Sequence, residues 1–223
     1  MNNPVKGRAP KIRTKAPRWL RQDEIAAFVD AAVGIAANRH RTSPLVVDYV
    51  LLMIATGMRP GEALGLTWSR VDLDRGMVYF DDDDQKSGVP GSIPLNSTAV
   101  DILKARRAYC DTRCPRTAWV FCHSTGERIL SLKKAIETAA RRAKLQRVVP
   151  HTFRHTFGAQ MTQAGVDIRE LKDLMRHADI RTTMIYAHLA RESGRKLINR
   201  MDAVLKGIRP PEALRQNLDS EQG

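Results

Sequence analysis

The sequence predicts a mainly α-helical fold with a small antiparallel β-sheet, which is an α+β class. Apolar residues recur at helical spacing over most of the chain, starting with the segments 22–37 and 45–55. Three short strand-like stretches follow one another near the middle, at 71–73, 77–80 and 92–95. Strands this close in sequence pair most simply as an antiparallel meander, so we expect one small sheet among packed helices.

The remaining elements are predicted to be helical. Pro60 suits the first turn of a short helix that runs on through Leu66. Gly165 ends one helix, and Asp167 with Glu170 three residues later resembles a capping box for the next, with Val166 and Leu171 as a hydrophobic staple. After Asn96 the predicted helices are 97–109, 131–145, 152–164, 168–176, 181–189 and 191–206.

The charge balance points to a polyanionic partner. The 223 residues contain 37 Lys and Arg against 24 Asp and Glu, a formal net charge of +13 with a pI of about 10.2. Nucleic acid is the leading candidate. A ribosome-associated or merely basic protein would show the same balance, so charge alone does not decide.

Membrane, secretory and metal-binding classes are not favoured. The longest apolar stretch, 45–55, is interrupted by Asp48 and is far shorter than the ~20 residues of a membrane span. The N-terminus has no apolar run of a signal peptide, which predicts a cytoplasmic, nucleoid-associated protein. Cys110, Cys114 and Cys122, followed by His123, match no familiar zinc-ligand spacing, so we expect no metal site and no cofactor.

The chain divides by composition into three parts. Residues 1–17 are basic and broken by prolines, which predicts a flexible arm that is either a solvated linker or tracks phosphates. Residues 18–206 form the folded domain. Residues 207–223 contain Pro210-Pro211 and a polar end, which predicts a weakly ordered tail or one short docking helix.

Several segments carry residues suited to phosphoryl chemistry without a metal. Arg59 lies in TGMRPGEALGLTW and Arg154 in HTFRHTF, and two arginines can grip one phosphate. His151 precedes Arg154 by three residues, and His177 precedes Tyr186 by nine. Each residue alone is most simply a surface charge, a core histidine or a packing tyrosine. Their joint pattern is therefore what carries information.

That pattern resembles the tyrosine recombinase, or phage integrase, family over about residues 19–206. The resemblance rests on TGMRPGEALGLTW, a hairpin lysine, HTFRHTF and HADIRTTMIYAHL in this order. It implies the tyrosine recombinase catalytic-domain fold. Carried over residue by residue, it implies a catalytic set of Arg59, Lys86, His151, Arg154, His177 and Tyr186.

The resemblance also implies a reaction. Tyr186 attacks a backbone phosphorus and forms a 3′-phosphotyrosine bond with a free 5′-hydroxyl. Lys86 is the expected acid for the departing oxygen and His151 the expected base, while Arg59, Arg154 and His177 stabilise the transferring phosphoryl group. The protein would then be a metal-independent, site-specific recombinase or integrase acting on double-stranded attachment sites of a prophage or mobile element.

Two rival functions stay open at this level. A prophage remnant would bind DNA but no longer cut it, although the six residues carried over are all present. A relative with the same chemistry would resolve chromosome dimers, move a transposon or relax supercoils as type IB topoisomerases do. The integrase-like motifs favour recombination over relaxation.

Other residues have supporting roles in this interpretation. Glu62 either orients a catalytic group or is simply a carboxylate at a helix N-terminus. Arg176 stands where the family commonly has glycine, and Val89, Gly91 and the acidic run 81–84 also depart from its hairpin. A basic set is expected to contact the duplex backbone, or to be a solvated helix face: Lys133, Lys134, Arg141, Arg142, Lys144 and Arg147.

The resemblance has implications for assembly as well. Family members usually carry a helical core-binding domain before the catalytic domain, and residues 1–21 cannot form one, so we expect weak DNA affinity with retained cleavage chemistry. Members act as homotetramers on two duplexes and exchange a C-terminal segment, for which residues 191–223 are suited. A monomer is expected without DNA.

Overall fold

A computed structural model of the chain describes residues 17–38, 45–80 and 91–190. Within these ranges it confirms the mainly helical α+β class. The α-helices are α1 (Gln22–Asn38), α2 (Leu45–Thr56), α3 (Pro60–Leu64), α4 (Ser97–Arg113), α5 (Lys133–Arg142), α6 (Pro150–Gln163) and α7 (Ile168–Leu174). The strands are β1 (Val71–Asp72), β2 (Met77–Phe80) and β3 (Gly91–Pro94), and short 3₁₀ helices cover Trp68–Arg70, Ile180–Thr182 and Met184–Leu189.

Helix α2 is the centre of the core. Its sequence is apolar nearly all round, as expected for a helix with neighbours on several sides. It packs against α1, α3, α4 and α6, while α1 also covers α5. Leu52 and Met53 are fully buried, and each such side chain contributes roughly 1.5–3 kcal/mol by leaving water. This packing fixes the C-terminal end of α2, from which the first part of the candidate site continues.

The sheet is the expected antiparallel meander, in the order β1-β2-β3. Val78 and Phe80 are buried and Tyr79 between them is exposed, the alternation of a strand with one face on the core. Strand β3 begins one residue earlier than predicted, because Gly91 pairs with Phe80. The connection 81–90, with Lys86 and the acidic run, lies outside the described residues.

The described turn between α6 and α7 has the predicted glycine stop, Asp167 cap and hydrophobic staple, but not the reciprocal Glu170 bond of a capping box. Gly165 has a φ of +91°, a left-handed conformation that favours glycine, and ends α6. The Asp167 side chain then accepts a 2.8 Å hydrogen bond from the Arg169 backbone at the start of α7. Val166 and Leu171 pack in one apolar cluster with Phe157, as expected for a hydrophobic staple.

The segment that carries Tyr186 differs from its prediction. A single α-helix was expected over 181–189, whereas the structure has two 3₁₀ helices there. Asp179 caps the first of them through the Arg181 backbone, and the bond from Tyr186 N to Thr183 O, at 3.0 Å, is of the tighter i to i+3 type. The predicted helix 191–206 and the terminal segments 1–16 and 207–223 lie outside the described residues.

Most other helix ends lie within about one turn of their predicted positions. Helix α4 runs four residues beyond its predicted end, and α5 is shorter than its prediction at both ends. Among the described residues, no helix has the length and apolar character needed to cross a membrane.

Candidate active site

The described residues that were predicted to carry the chemistry line one cleft of about 370 Å³. It lies where the elbow after α2, the start of α6, the turn after α7 and the final 3₁₀ helices meet. Its lining residues are Arg59, His151, Arg154, His155, His177, Ala178, Asp179, Thr182, Ile185 and Tyr186. Five of the six residues assigned by the family resemblance therefore share one cavity, and the sixth, Lys86, falls outside the described residues.

Arg59 is held by the elbow that follows α2. Gly57 has a φ of +66°, and a Cβ there would come within 2.5 Å of the Phe157 ring, so only glycine fits without displacement. Pro60 then opens α3, with Arg59 as the extended residue before it. The elbow thus points the Arg59 side chain into the cleft from a rigid backbone.

Glu62 joins two guanidinium groups. Its carboxylate accepts bonds from the Arg59 backbone and side chain, both at 2.7 Å, and a third from Arg176. Burial would raise the pKa of Glu62, but the charge of Arg176 and the hydrogen bonds and charge of Arg59 outweigh burial and hold the pKa below its usual value. Glu62 is therefore an ionised residue that orients Arg59, which supports the orienting role considered from sequence.

Arg154 is fixed more tightly than Arg59. It is 4% exposed, and its guanidinium donates to the carbonyls of Gly57 and Met175. Burial, and then the charge of Arg59, lowers the pKa of Arg154 to about 10, so it stays charged at neutral pH. Two like charges in one cleft create a strong preference for an anion between them.

Arg176 turns inward instead of reaching the cleft. Its guanidinium binds Glu62 and lies over the Phe80 ring, 4.0 Å from the ring centroid, while its carbonyl accepts a 2.8 Å bond from Arg59. Its φ of +51° is the left-handed conformation for which glycine is better suited. The residue thus links the turn before His177 to the end of β2, where the segment carrying Lys86 begins.

His177 is neutral and oriented. Its Nδ1 lies 2.8 Å from the hydroxyl of Thr183, itself fully buried. Burial, followed by the charges of Arg154 and Arg59, lowers the pKa of His177 to about 4. A neutral imidazole fixed at one nitrogen can present the other as a donor to an incoming phosphate.

Tyr186 is buried, and its hydroxyl is hydrogen-bonded to a histidine that was not predicted from the sequence. Its Oη lies 2.7 Å from Nδ1 of His155, and its ring rests on Gly158, where a Cβ would be 2.6 Å from Cζ. Burial raises the pKa of Tyr186 to about 12, with Arg154 opposing, and lowers the pKa of His155 to about 4. At rest the pair is therefore a neutral phenol beside a neutral imidazole.

His151 had been expected to serve as the base for Tyr186, whereas the hydroxyl is hydrogen-bonded to His155. The two histidines are four residues apart on α6, with ring centroids 6.4 Å apart. That i, i+4 spacing places both on one helix face and was the signal in the sequence that could have identified His155. Partial desolvation, and then the charges of Arg154 and Arg59, also lower the pKa of His151, although this residue is the more exposed of the two.

The six basic residues assigned to DNA contact are all exposed. Four lie on α5, opposite Ile136 and Ala139, which pack into the core. Lys144 and Arg147 follow in the turn that leads to α6, both with positive φ. Within the described ranges, the one group of three or more candidate metal ligands is Cys110, Cys114 and Cys122, which does not line the cleft.

Comparison with known proteins gives the family to which this fold and cleft belong. Residues 18–193 match the model of the phage integrase family. The chain therefore belongs to that family. This match covers most of the described residues and every described residue of the cleft.

Two relatives of known family are similar in sequence to this chain. The chain is 32% identical to Tyrosine recombinase XerD of Bifidobacterium longum over 200 residues, which cover 83% of this chain and 63% of that protein. It is 29% identical to Tyrosine recombinase XerC of Pseudomonas syringae pv. tomato over 191 residues, 84% of this chain and 62% of that protein. The chain thus spans somewhat less than two thirds of the length of these relatives.

Two solved structures share the fold. The crystal structure of XerA recombinase superposes with a TM-score of 0.67 at 24% identity, covering 84% of this chain and 66% of that one. The catalytic domain of bacteriophage HP1 integrase superposes with a TM-score of 0.59 at 21% identity, covering 87% of this chain and 99% of that one.

Proposed function

We propose that this chain is the catalytic domain of a site-specific recombinase that cuts and rejoins double-stranded DNA through a covalent 3′-phosphotyrosine at Tyr186. The observation that carries the proposal is the convergence of two fixed arginines, three histidines and one tyrosine on a single cleft. The cationic arginines match the charge of a backbone phosphate.

In this proposal the two guanidinium groups hold the scissile phosphate. Arg154 is immobilised by two carbonyls and Arg59 by Glu62, so little reorganisation is needed when negative charge builds up. His177, which also lines the cleft, adds a further donor. By analogy with single oxyanion donors, each contact is worth ~3 to 4 kcal/mol in the transition state.

Proton transfer from Tyr186 is assigned to His155. A phenol whose pKa is about 12 and an imidazole whose pKa is about 4 do not exchange a proton at rest. A bound phosphate adds negative charge, which raises the imidazole pKa, and the forming P–O bond acidifies the phenol. Proton transfer and attack on phosphorus are therefore concerted, with His155 Nδ1 as the acceptor.

Lys86 remains the proposed acid for the departing 5′ oxygen. It lies in the connection between β2 and β3, and Arg176 stacks on the last residue of β2, Phe80. His151 is exposed on the same face of α6 as His155 and is placed as a further phosphate donor instead of the base.

The partner in this proposal is duplex DNA at a recombination site. The basic residues of α5 and its exit would lie along the backbone next to the cleaved phosphate. Strand exchange between two duplexes is assigned to a homotetramer assembled on the DNA. The segment 191–223 is the proposed exchange element between protomers.

The test is formation of a covalent complex. The protein is incubated with sheared DNA of its host genome, without added metal and with a chelator, and then denatured with SDS. Wild type and the control variant Tyr79→Phe, an exposed tyrosine, should retain DNA fragments that share one sequence. Absence of bound DNA from wild type, or its persistence in Tyr186→Phe, would contradict the proposal and leave a binding-only protein.

A further inference from the structure

Three buried cysteines bring their sulfurs together at a point that the candidate active site does not use. Cys110 lies in the last turn of α4, Cys114 is the residue that ends the helix, and Cys122 lies in the strand-like segment that follows. The Cys122 sulfur is 3.3 Å from that of Cys114 and 3.9 Å from that of Cys110, and all three lie within 4.8 Å of one another.

We propose that Cys110, Cys114 and Cys122 bind one thiophilic metal ion, for which Zn²⁺ is the probe. Zinc–sulfur bonds of about 2.3 Å in a tetrahedron place neighbouring sulfurs about 3.8 Å apart, and the observed separations bracket that value. Thiolates select Zn²⁺ or Cu⁺ over hard cations.

The surroundings suit a metal with three thiolates. A zinc ion with three thiolates carries a net charge of −1. Burial raises the pKa of Cys110 overall, an effect opposed by the charge of the buried cation Arg106, which is 1% exposed. Its Nε donates to the carbonyl of Val120, two residues before Cys122, and its guanidinium lies 4.7 Å from the Tyr109 ring centroid. Arg106 also pairs with Asp48 at 3.9 Å, so its charge compensates the thiolates in part, inside a fold where an isolated anion would be costly.

The rings of Trp68, Tyr109 and Trp119 pack around the sulfurs and shield them from solvent. A disulfide between Cys114 and Cys122 would use two sulfurs and leave the third without a partner, whereas a metal ion uses all three. Cys110 and Cys114 are four residues apart at the end of a helix, on one face. The third ligand comes from a separate element, which is why the spacing in sequence matched no familiar pattern.

The bound ion would be structural. It would tie the C-terminal end of α4 to the segment 119–122, which also pairs with the chain after α3 through Thr67 and Trp119. The three sulfurs are absent from the cleft lining, so the ion takes no part in phosphoryl transfer and this inference does not depend on the proposed function.

The test measures metal content of the full chain purified under reducing conditions from zinc-supplemented cells. Elemental analysis should find one zinc per chain in wild type and in the control variant Ser124→Ala, an exposed residue near the cluster. The variants Cys114→Ser and Cys122→Ser should lose it. Removing the ion should lower the melting temperature, and adding Zn²⁺ should restore it.

A second measurement on wild type avoids any effect of the substitutions on folding. Wild type is first freed of metal with a chelator and then titrated with Co²⁺. An intense sulfur-to-cobalt charge-transfer absorption should develop and saturate at one equivalent. It should disappear when Zn²⁺ is added. The proposal would be overturned if wild type contained no zinc above the background of the elemental analysis and Co²⁺ produced no such absorption. Detection of a Cys114–Cys122 disulfide in freshly purified protein would overturn it as well.

Discussion

The Tyr186 hydroxyl is 2.7 Å from Nδ1 of His155, and both groups are buried enough to be neutral at pH 7. The proposed nucleophile is therefore stored in an unreactive form beside its proton acceptor. Binding of a phosphate between Arg59 and Arg154 is what would change the electrostatics of the pair.

Acid should destabilise the fold through its buried histidines. Burial lowers the pKa of His155 and of His177 from 6.5 to about 4, so between these values the unfolded chain binds protons that the native protein does not. Above pH 6.5 the two histidines therefore cost no stability. As the pH falls from 6.5 towards 4, each lowers the free energy of unfolding by at most about 1.4 kcal/mol per pH unit. Chemical denaturation at several pH values measures this slope.

The double variant His155→Gln, His177→Gln should flatten that profile between pH 6.5 and 4. The control variant His123→Gln, at an exposed position, should keep the wild-type slope. An unchanged slope in the double variant would mean that these two residues are not buried neutral imidazoles.

Glu62→Gln should destabilise the protein by about 3 kcal/mol, because it leaves the buried Arg176 guanidinium without its counter-charge. The measurement is the free energy of unfolding in denaturant. The matched control is Glu137→Gln, whose exposed pair with Lys133 is worth at most about 0.5 kcal/mol. Equal effects of the two substitutions would show that Glu62 is not the counter-charge on which the buried Arg176 depends.

Gly158→Ala tests the docked position of Tyr186. A helical glycine replaced by alanine normally gains up to about 1 kcal/mol, but here the new Cβ would lie 2.6 Å from Tyr186 Cζ. We expect a net loss of about 1–3 kcal/mol and faster nitration of Tyr186 by tetranitromethane, located by peptide mass spectrometry. Gly61→Ala, with nothing within 4 Å of the new Cβ, is the control. A Gly158→Ala protein as stable as wild type would show that the ring does not rest there.

Glutamine in place of the four basic residues of α5 should lower the affinity for DNA and make that affinity less dependent on salt. The four residues are Lys133, Lys134, Arg141 and Arg142. Each phosphate contact that is lost lowers the slope of log K against log salt by about 0.9. The core face of α5 is untouched, so the thermal stability should change little. Glutamine at Lys104 and Arg75, exposed basic residues elsewhere, should leave the slope as in wild type. Equal slopes in both variants would make α5 a solvated face.

Helical periodicity and turn residues were enough to predict the elements that carry Arg59 and Arg154. Periodicity could not distinguish a 3₁₀ from an α-helix over 181–189, because a short segment contains too few turns. The bonds from Arg59 to Arg176 and from Arg154 to Gly57 join residues 117 and 97 positions apart, so only the tertiary fold shows them. His155 was missed because Arg154 next to it already accounted for the motif.

The identity of the residue joined to DNA tests the central claim most directly. The SDS-resistant complex is digested with protease and nuclease, the nucleotide-bearing peptide is sequenced by mass spectrometry, and the free DNA end is labelled with polynucleotide kinase. We predict a nucleotide attached through its 3′-phosphate to Tyr186, and a free 5′-hydroxyl end that accepts label. Attachment to any other residue, or through a 5′-phosphate, would contradict it.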